Sequence, residues 1–247
     1  HDVEGNSMDW ARATGGFAGS YAVMDVQKGK VLNIDVPGGG TYDVQGQLDV
    51  HVRPPLPLQL ANKRWEFQDV NWFAHFPASA AKAAEFYRHA RGTTVDGVIA
   101  VNASVLERIL KVLGPVYNEK HDVLLDELTA LESLQQEVEF DYDKEVNEPK
   151  AILSSVLDQL VTSLESVEPK KLVQLLVETH EALQEKEIQV YFDEPVAQQQ
   201  FRSFGWTGEF VPSRSGQDYL MVVNINICGD RYIFKTSATF NINTILT

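Results

Sequence analysis

The hydrophobic period changes twice along this chain, from strand-like runs to helical spacing and back to strand, and that order constrains the fold more than any other feature. Residues 17–24 (FAGSYAVM) and 30–36 (KVLNIDV) flank Gln27-Lys28-Gly29, whose glycine suits a hairpin turn. Helical signals begin at Pro77, pass through Ala78, Ala80, Ala81, Ala83 and Ala84 to Phe86 and Tyr87, and close at Gly92. Residues 96–101 then read as a short buried strand. Asn102 follows as the expected N-cap of a helix whose Val105, Leu106, Ile109, Leu110 and Leu113 share one face before Gly114-Pro115. Strand followed by helix is the order of an α/β layer.

From 122 to 200 the chain reads as predominantly helical. Ile152, Leu153, Val156, Leu157, Leu160, Val161 and Leu164 form one apolar stripe, and Leu172, Val173, Leu175, Leu176 and Leu183 a second after Pro169. Packing explains both, as a helical hairpin. Strand character returns at 188–192 and again at 219–227 (YLMVVNINI), apolar on both faces before it alternates, as in a central strand leaving the core. Residues 231–245 are expected to pair with it as a hairpin across Gly229-Asp230. No repeat of 20 to 50 residues occurs. The expected fold is therefore α/β: a mixed central sheet covered by helices in three αβα layers, with a long helical hairpin insertion and a C-terminal β-hairpin.

At 247 residues, 44% hydrophobic and 23% charged, the chain suits one main globular domain spanning 1–247. Thirty-five acidic residues against 21 basic ones give a net charge of −14, which opposes binding to nucleic acid or to an anionic membrane surface. Cys228 stands alone, so no internal disulfide forms. No apolar run reaches about 18 residues, and no leader with a basic head and apolar middle opens the chain. Because it starts just before a glycine-rich turn and stops in a strand-like run, the expectation is a fragment of a longer, membrane-anchored chain.

Several residues bear on chemistry. Arg12 lies just before Gly15 and Gly16, where uncovered backbone N–H groups and a guanidinium suit a phosphate; a turn with a surface arginine is the plainer alternative. Asp35, Asp43, Asp69 and Asp96 lie near turns and strand ends, where one or two carboxylates with water and substrate phosphate suffice for magnesium. With 35 acids, chance supplies such sets too. Trp65 and Trp72 suit stacking on a sugar or lipid, or core packing with the indole N–H satisfied. Asn102-Ala103-Ser104 fits a glycosylation acceptor as well as a cap. There is no nucleophile elbow, phosphate loop, dinucleotide fingerprint or paired zinc-binding histidines.

In order along the chain, RATGGFAGSY at 12–21, YDVQGQL at 42–48, PPLP at 54–57, DVNW at 69–72, FPASA at 76–80, DGVIAV at 96–101, LGPV at 113–116, FGWTG at 204–208 and DYLMVVN at 218–224 resemble an exported bacterial domain-of-unknown-function family, number 4012. Two departures stand out: Phe73-Ala74-His75 replaces the family's usual Ser-Pro-Asp, and Gln45 stands where Asp is common. The order of parts is also remotely similar to the LytR-CpsA-Psr envelope phosphotransferases. That second resemblance implies an extracytoplasmic, cell-envelope location and action on polyprenyl-pyrophosphate-linked glycopolymers, with magnesium at the pyrophosphate. As a phosphotransferase or pyrophosphatase, the domain would use Arg12, Asp35 and Asp43 as catalytic residues, with Asp35 and Asp43 on the metal. Gly15, Gly16, Arg53, Arg64, Trp72 and His75 would bind substrate. The competing expectation is a noncatalytic surface module that binds cell-wall glycan or joins a homo-oligomer or surface assembly, consistent with His75 in place of an acid.

Overall fold

The computed structural model describes residues 18–210, apart from Ala61, Asp143 and Val146. Its first element is the expected hairpin: β1 (Val23–Gln27) pairs antiparallel with β2 (Lys30–Asp35). Lys28 and Gly29 have φ of 51° and 75°, the left-handed pair of a two-residue turn that matches strand twist. The strand starts later than the apolar run suggests. Residues 18–21 commit their backbone elsewhere: Ala18 N–H donates to Gln68 O at 2.8 Å, and Gly19 O accepts from Thr41 N–H at 3.3 Å.

Short 3-10 turns follow at Gly40–Val44, Leu56–Leu60 and Phe67–Asp69. Helix α1 (Phe76–Arg91), with proline in its first turn and Gly92 past its end, matches the sequence reading. Strand β3 (Gly97–Val101) and helix α2 (Ser104–Leu113) lie where expected, but β3 is not the buried strand its apolar run suggests, since Ile99 and Val101 are exposed. The cap of α2 also differs. Ala103 occupies the N-cap position, and no side chain caps the helix. Asn102 instead donates its N–H to Glu187 O at 2.8 Å, tying β3 to the next strand of its ladder.

The region from 122 opens with strand, contrary to the helical expectation. β4 (Val116–Asn118) and β5 (Val123–Leu125) form a hairpin held by Asn118, which is wholly buried. Asn118 Nδ2 donates to Ser155 Oγ (2.8 Å) and Gln159 Oε1 (2.9 Å), and its Oδ1 accepts from His121 N–H (3.1 Å). Helix α3 (Ala130–Gln136) runs into a π turn at Glu137–Asp141. Helices α4 (Ala151–Glu165) and α5 (Pro169–Gln184) are the two expected stripes. They pack differently: α4 sends Ile152, Val156 and Leu160 into a core with Leu110, Leu125, Ala130 and Leu134, while α5 packs on α2 and β6, burying Leu175 and Leu183 but leaving Leu172, Val173 and Leu176 of the expected stripe exposed. Each such buried aliphatic side chain contributes roughly 1.5–3 kcal/mol. Strand β6 (Ile188–Phe192) pairs antiparallel with β3, and α6 (Pro195–Ser203) closes the described chain.

The chain is thus α/β, with helices and three two-stranded antiparallel ladders, β1–β2, β3–β6 and β4–β5. The expected three-layer sandwich around one mixed sheet is not seen among the described residues. The C-terminal strand and hairpin at 219–245 lie outside them. A second core, Val44, Leu48, Leu58, Trp65, Phe67, Val70 and Phe86, fills the N-terminal part. Helix α1 joins the parts, giving Phe86 to that core while packing on β3 and β6.

Candidate functional site

The described end of the 12–21 motif lands on the glycine-rich turn. Thr41 Oγ donates to Ala18 O at 2.6 Å, reinforcing the bond from its N–H to Gly19 O. Gly40 makes this approach possible. It has φ of 62°, and a Cβ there would lie 2.4 Å from Gly19 O. The staple delivers Tyr21 to the C-terminal turn of α1, its ring 6.0 Å from Tyr87 and 5.3 Å from Phe67.

Arg91, the last residue of α1, completes a polar cluster there. Its guanidinium donates to Gln47 Oε1 (2.8 Å) and to Asp43 O (3.1 Å). A side-chain hydrogen bond to Tyr21 is the main cause raising Arg91 above its ordinary pKa; the Asp43 charge adds to it. Burial, followed by the neighbouring Tyr21, pushes the Tyr87 phenol upward. Arg91 opposes that shift, and the charges of Asp35 and Asp25 reinforce it. Register explains how both aspartates act together: Val23 faces Asp35 and Asp25 faces Asn33, so side-chain alternation puts Asp25 and Asp35 on one face of the hairpin.

Of the residues singled out from sequence, Asp35 and Asp43 therefore border one cluster, while Arg12, Gly15 and Gly16 lie outside the described residues. Asp43 uses its Oδ2 to accept from Gly39 N–H at 3.0 Å, so part of its carboxylate closes the turn. Arg64 is committed to the scaffold, donating to Leu48 O and to Val50 O (3.0 Å) and pairing with Glu66 at 3.1 Å. Arg53 is exposed and donates to Gln59 Oε1 at 3.1 Å. Trp72 packs half-buried against the N-terminal core. Trp65 lies inside that core, with its indole N–H on Asp69 O at 2.9 Å, the packing alternative. His75 Nδ1 accepts from Phe210 N–H at 3.2 Å, and the two rings are 5.5 Å apart, so this side chain ties the start of α1 to a later segment. Burial is the first cause raising the Asp69 pKa, opposed by a hydrogen bond from Asn62 at 2.9 Å.

Tyr21, Asp25, Tyr87 and Arg91 were not singled out for chemistry from sequence. Tyr21 closes the 12–21 motif, which is a signal; Arg91 reads as an ordinary cation in a last helical turn. Among the described residues no group of three or more His, Cys, Asp or Glu is placed to hold a metal ion. Asp25 and Asp35 still offer two hard oxygen donors on one face, the set that suits magnesium completed by water and phosphate. A separate groove of about 250 Å³ between α2 and α5, lined by Lys111, Val112, Val173, Gln174, Val177 and Glu178, shares no residue with this cluster. No described helix is long and apolar enough to cross a membrane.

Fold and site together define an α/β domain with a tyrosine–arginine–aspartate cluster where a glycine-rich turn, a hairpin face and a helix end meet. The family model described as "Protein of unknown function (DUF4012)" matches residues 9–138, and the chain belongs to that family. No curated protein and no solved structure matches it.

Proposed function

We propose that this is a cell-envelope domain of phosphotransferase type, and that the cluster around Arg91 receives the pyrophosphate headgroup of a polyprenyl-linked glycopolymer. The observation that carries the reading is convergence: Tyr21 from the family motif, Asp25 and Asp35 from the hairpin, and Asp43 from the glycine-rich turn all act on Arg91 or Tyr87. A guanidinium has five N–H donors, and Gln47, Asp43 O and Tyr21 engage three, so donors remain for an anion.

Charge decides what else the site needs. Asp43 lies near the Arg91 guanidinium and Asp25 and Asp35 act on the neighbouring Tyr87, and a pyrophosphate alone is repelled by that balance of charge. Asp25 and Asp35 would hold magnesium, which would supply charge neutralisation at the phosphates. Arg91 would orient one phosphate and offset its charge, and Tyr21 would fix the guanidinium by the hydrogen bond they already share. Phosphoryl transfer relies on positioning and electrostatics more than on a covalent nucleophile, so the lack of such a group among these residues is no obstacle.

The test is calorimetric titration of the 247-residue chain with a short-chain polyprenyl pyrophosphate. With magnesium, binding is expected; Arg91→Ala and Asp35→Asn should each weaken it about tenfold or more, and a chelator should abolish it. Absence of binding with magnesium, or binding indifferent to both substitutions and to the chelator, overturns the proposal. A specific observation favours a noncatalytic glycan-binding module instead: the N–H groups of Gly39, Gly40 and Thr41 are all bonded, to Asp43, Pro37 O and Gly19 O, leaving no anion nest in that turn. Binding of cell-wall glycan without magnesium and without phosphate release would select that reading.

A further inference from the structure

Among the described residues the β3–β6 ladder is partly covered along its β6 edge and open along its β3 edge. At its ends, Asp193 N–H donates to Asp96 O (2.9 Å) and Asn102 N–H to Glu187 O (2.8 Å). The two-residue period then sends the N–H and C=O groups of Val98 and Ala100 across to β6, and those of Gly97, Ile99 and Val101 away from it. On β6 two of the three outward amides have acceptors: Val190 N–H donates to Trp206 O (3.0 Å) and Phe192 N–H to Gln198 Oε1 (2.9 Å). On β3 the outward groups meet no partner among the described residues. Ile99 and Val101 are also 50% and 55% exposed. Proteins usually blunt such an edge with lysine, proline or a bulge, and Gly97–Val101 carries none of these.

We infer that the free edge of β3 takes a further strand, and that this chain's own residues 219–227 supply it. Their sequence, YLMVVNINI, has no charged residue and begins with five apolar positions in succession. That pattern suits a strand flanked and covered on both sides, not one facing water. Reach is ample. Phe210 is held to His75 at the start of α1, the helix that packs on β3 and β6. The chain from Phe210 to Tyr219 extends up to roughly 30 Å, whereas the β3 edge lies about 10 Å, two strand spacings, from the outer side of β6.

Amide exchange measured by NMR on the 247-residue chain tests this directly. The amides of Ile99 and Val101 should exchange at least ~100-fold more slowly than exposed amides, and should show backbone contacts to residues 219–227 that do not change on dilution. Val223→Pro removes a ladder donor from that strand and should restore fast exchange at Ile99 and Val101 while Val98 and Ala100 stay protected. Fast exchange at Ile99 and Val101 in the unmodified chain overturns the inference. So does protection that weakens on dilution, which would make a second copy the occupant. Because the unmodified chain is decisive alone, misfolding of the proline variant leaves the test intact.

Discussion

Replacing Gly40 with alanine tests whether the staple between the 12–21 motif and the glycine-rich turn holds the candidate site together. Two costs arise. Alanine at φ of 62° costs about 1–2 kcal/mol for the left-handed conformation. The new Cβ also meets Gly19 O at 2.4 Å, and since that atom is backbone, no side-chain rotation relieves the overlap. The cheapest escape is to lift residues 18–21, breaking Thr41 N–H to Gly19 O (3.3 Å) and Thr41 Oγ to Ala18 O (2.6 Å). Each bond contributes a net ~0.5–1.5 kcal/mol, so the total loss is about 2–5 kcal/mol. Gly46→Ala is the control. Its φ is 74° with nothing within 4 Å of the added carbon, so it should lose only the conformational ~1–2 kcal/mol. Urea unfolding of both variants measures the difference, expected at ~1–3 kcal/mol for the two hydrogen bonds. Headgroup binding should fall only in Gly40→Ala, because only there does Tyr21 leave Arg91. Equal destabilisation by both substitutions would show that the close approach to Gly19 does not hold the motif.

Asn118→Ala should destabilise the chain by ~1–3 kcal/mol in thermal unfolding, because it removes a wholly buried amide and leaves Ser155 Oγ, Gln159 Oε1 and the His121 N–H, all half-buried, without that partner; a loss below ~0.5 kcal/mol would mean that water replaces the amide. Glu194 accepts Val196 N–H (2.9 Å) and Ala197 N–H (2.7 Å), and Asp126 accepts Leu128 N–H (2.8 Å) and Thr129 N–H (2.9 Å). These backbone bonds hold both carboxyls below their ordinary values of 4.5 and 3.8. The stabilisation is complete above those values and disappears as pH falls through the lowered ones. Glu194→Gln, which keeps an acceptor but not the charge, should therefore lower the melting temperature at neutral pH, change it little in acid and so shrink the acid-induced drop, and an unchanged acid profile would refute the capping role.

Where a signal was local, the sequence carried it to the right place. Lys28-Gly29 marked the hairpin because a two-residue turn needs left-handed backbone, and Pro77 and Gly92 bounded α1 because neither suits a helix interior. Reading failed where distant partners decided. Residues 123–125 (VLL) have no strong preference and became strand because Asn118 found Ser155 and Gln159 on α4, a match invisible from either segment alone. Asn102 has the chemistry of an N-cap, but its backbone was needed for the β3–β6 ladder, and the helix began two residues on. The α4 stripe was read correctly as a packing face and joined the β4–β5 core, whereas Leu172, Val173 and Leu176 of the α5 stripe stay exposed, because a stripe does not name its partner.

The same division explains the site. Asp35 and Asp43 stood out because acids at turns and strand ends attract notice, whereas Arg91 resembled any cation complementing a helix C-terminus. Only tertiary structure shows that its guanidinium bridges Tyr21 and the Asp43 carbonyl. Arg64 shows the converse, since its guanidinium is spent on the carbonyls of Leu48 and Val50. In the proposed site, with Asp43 acting on Arg91, Asp25 and Asp35 acting on Tyr87 and a chain net charge of −14, a cation is favoured over a bare anion. It follows that Asp25→Asn with Asp35→Asn should remove the dependence on magnesium and leave weak, salt-sensitive binding of inorganic pyrophosphate to Arg91. If the double substitution instead strengthens binding in magnesium, the two carboxylates oppose the ligand, and the cluster does not work as a metal-assisted headgroup site.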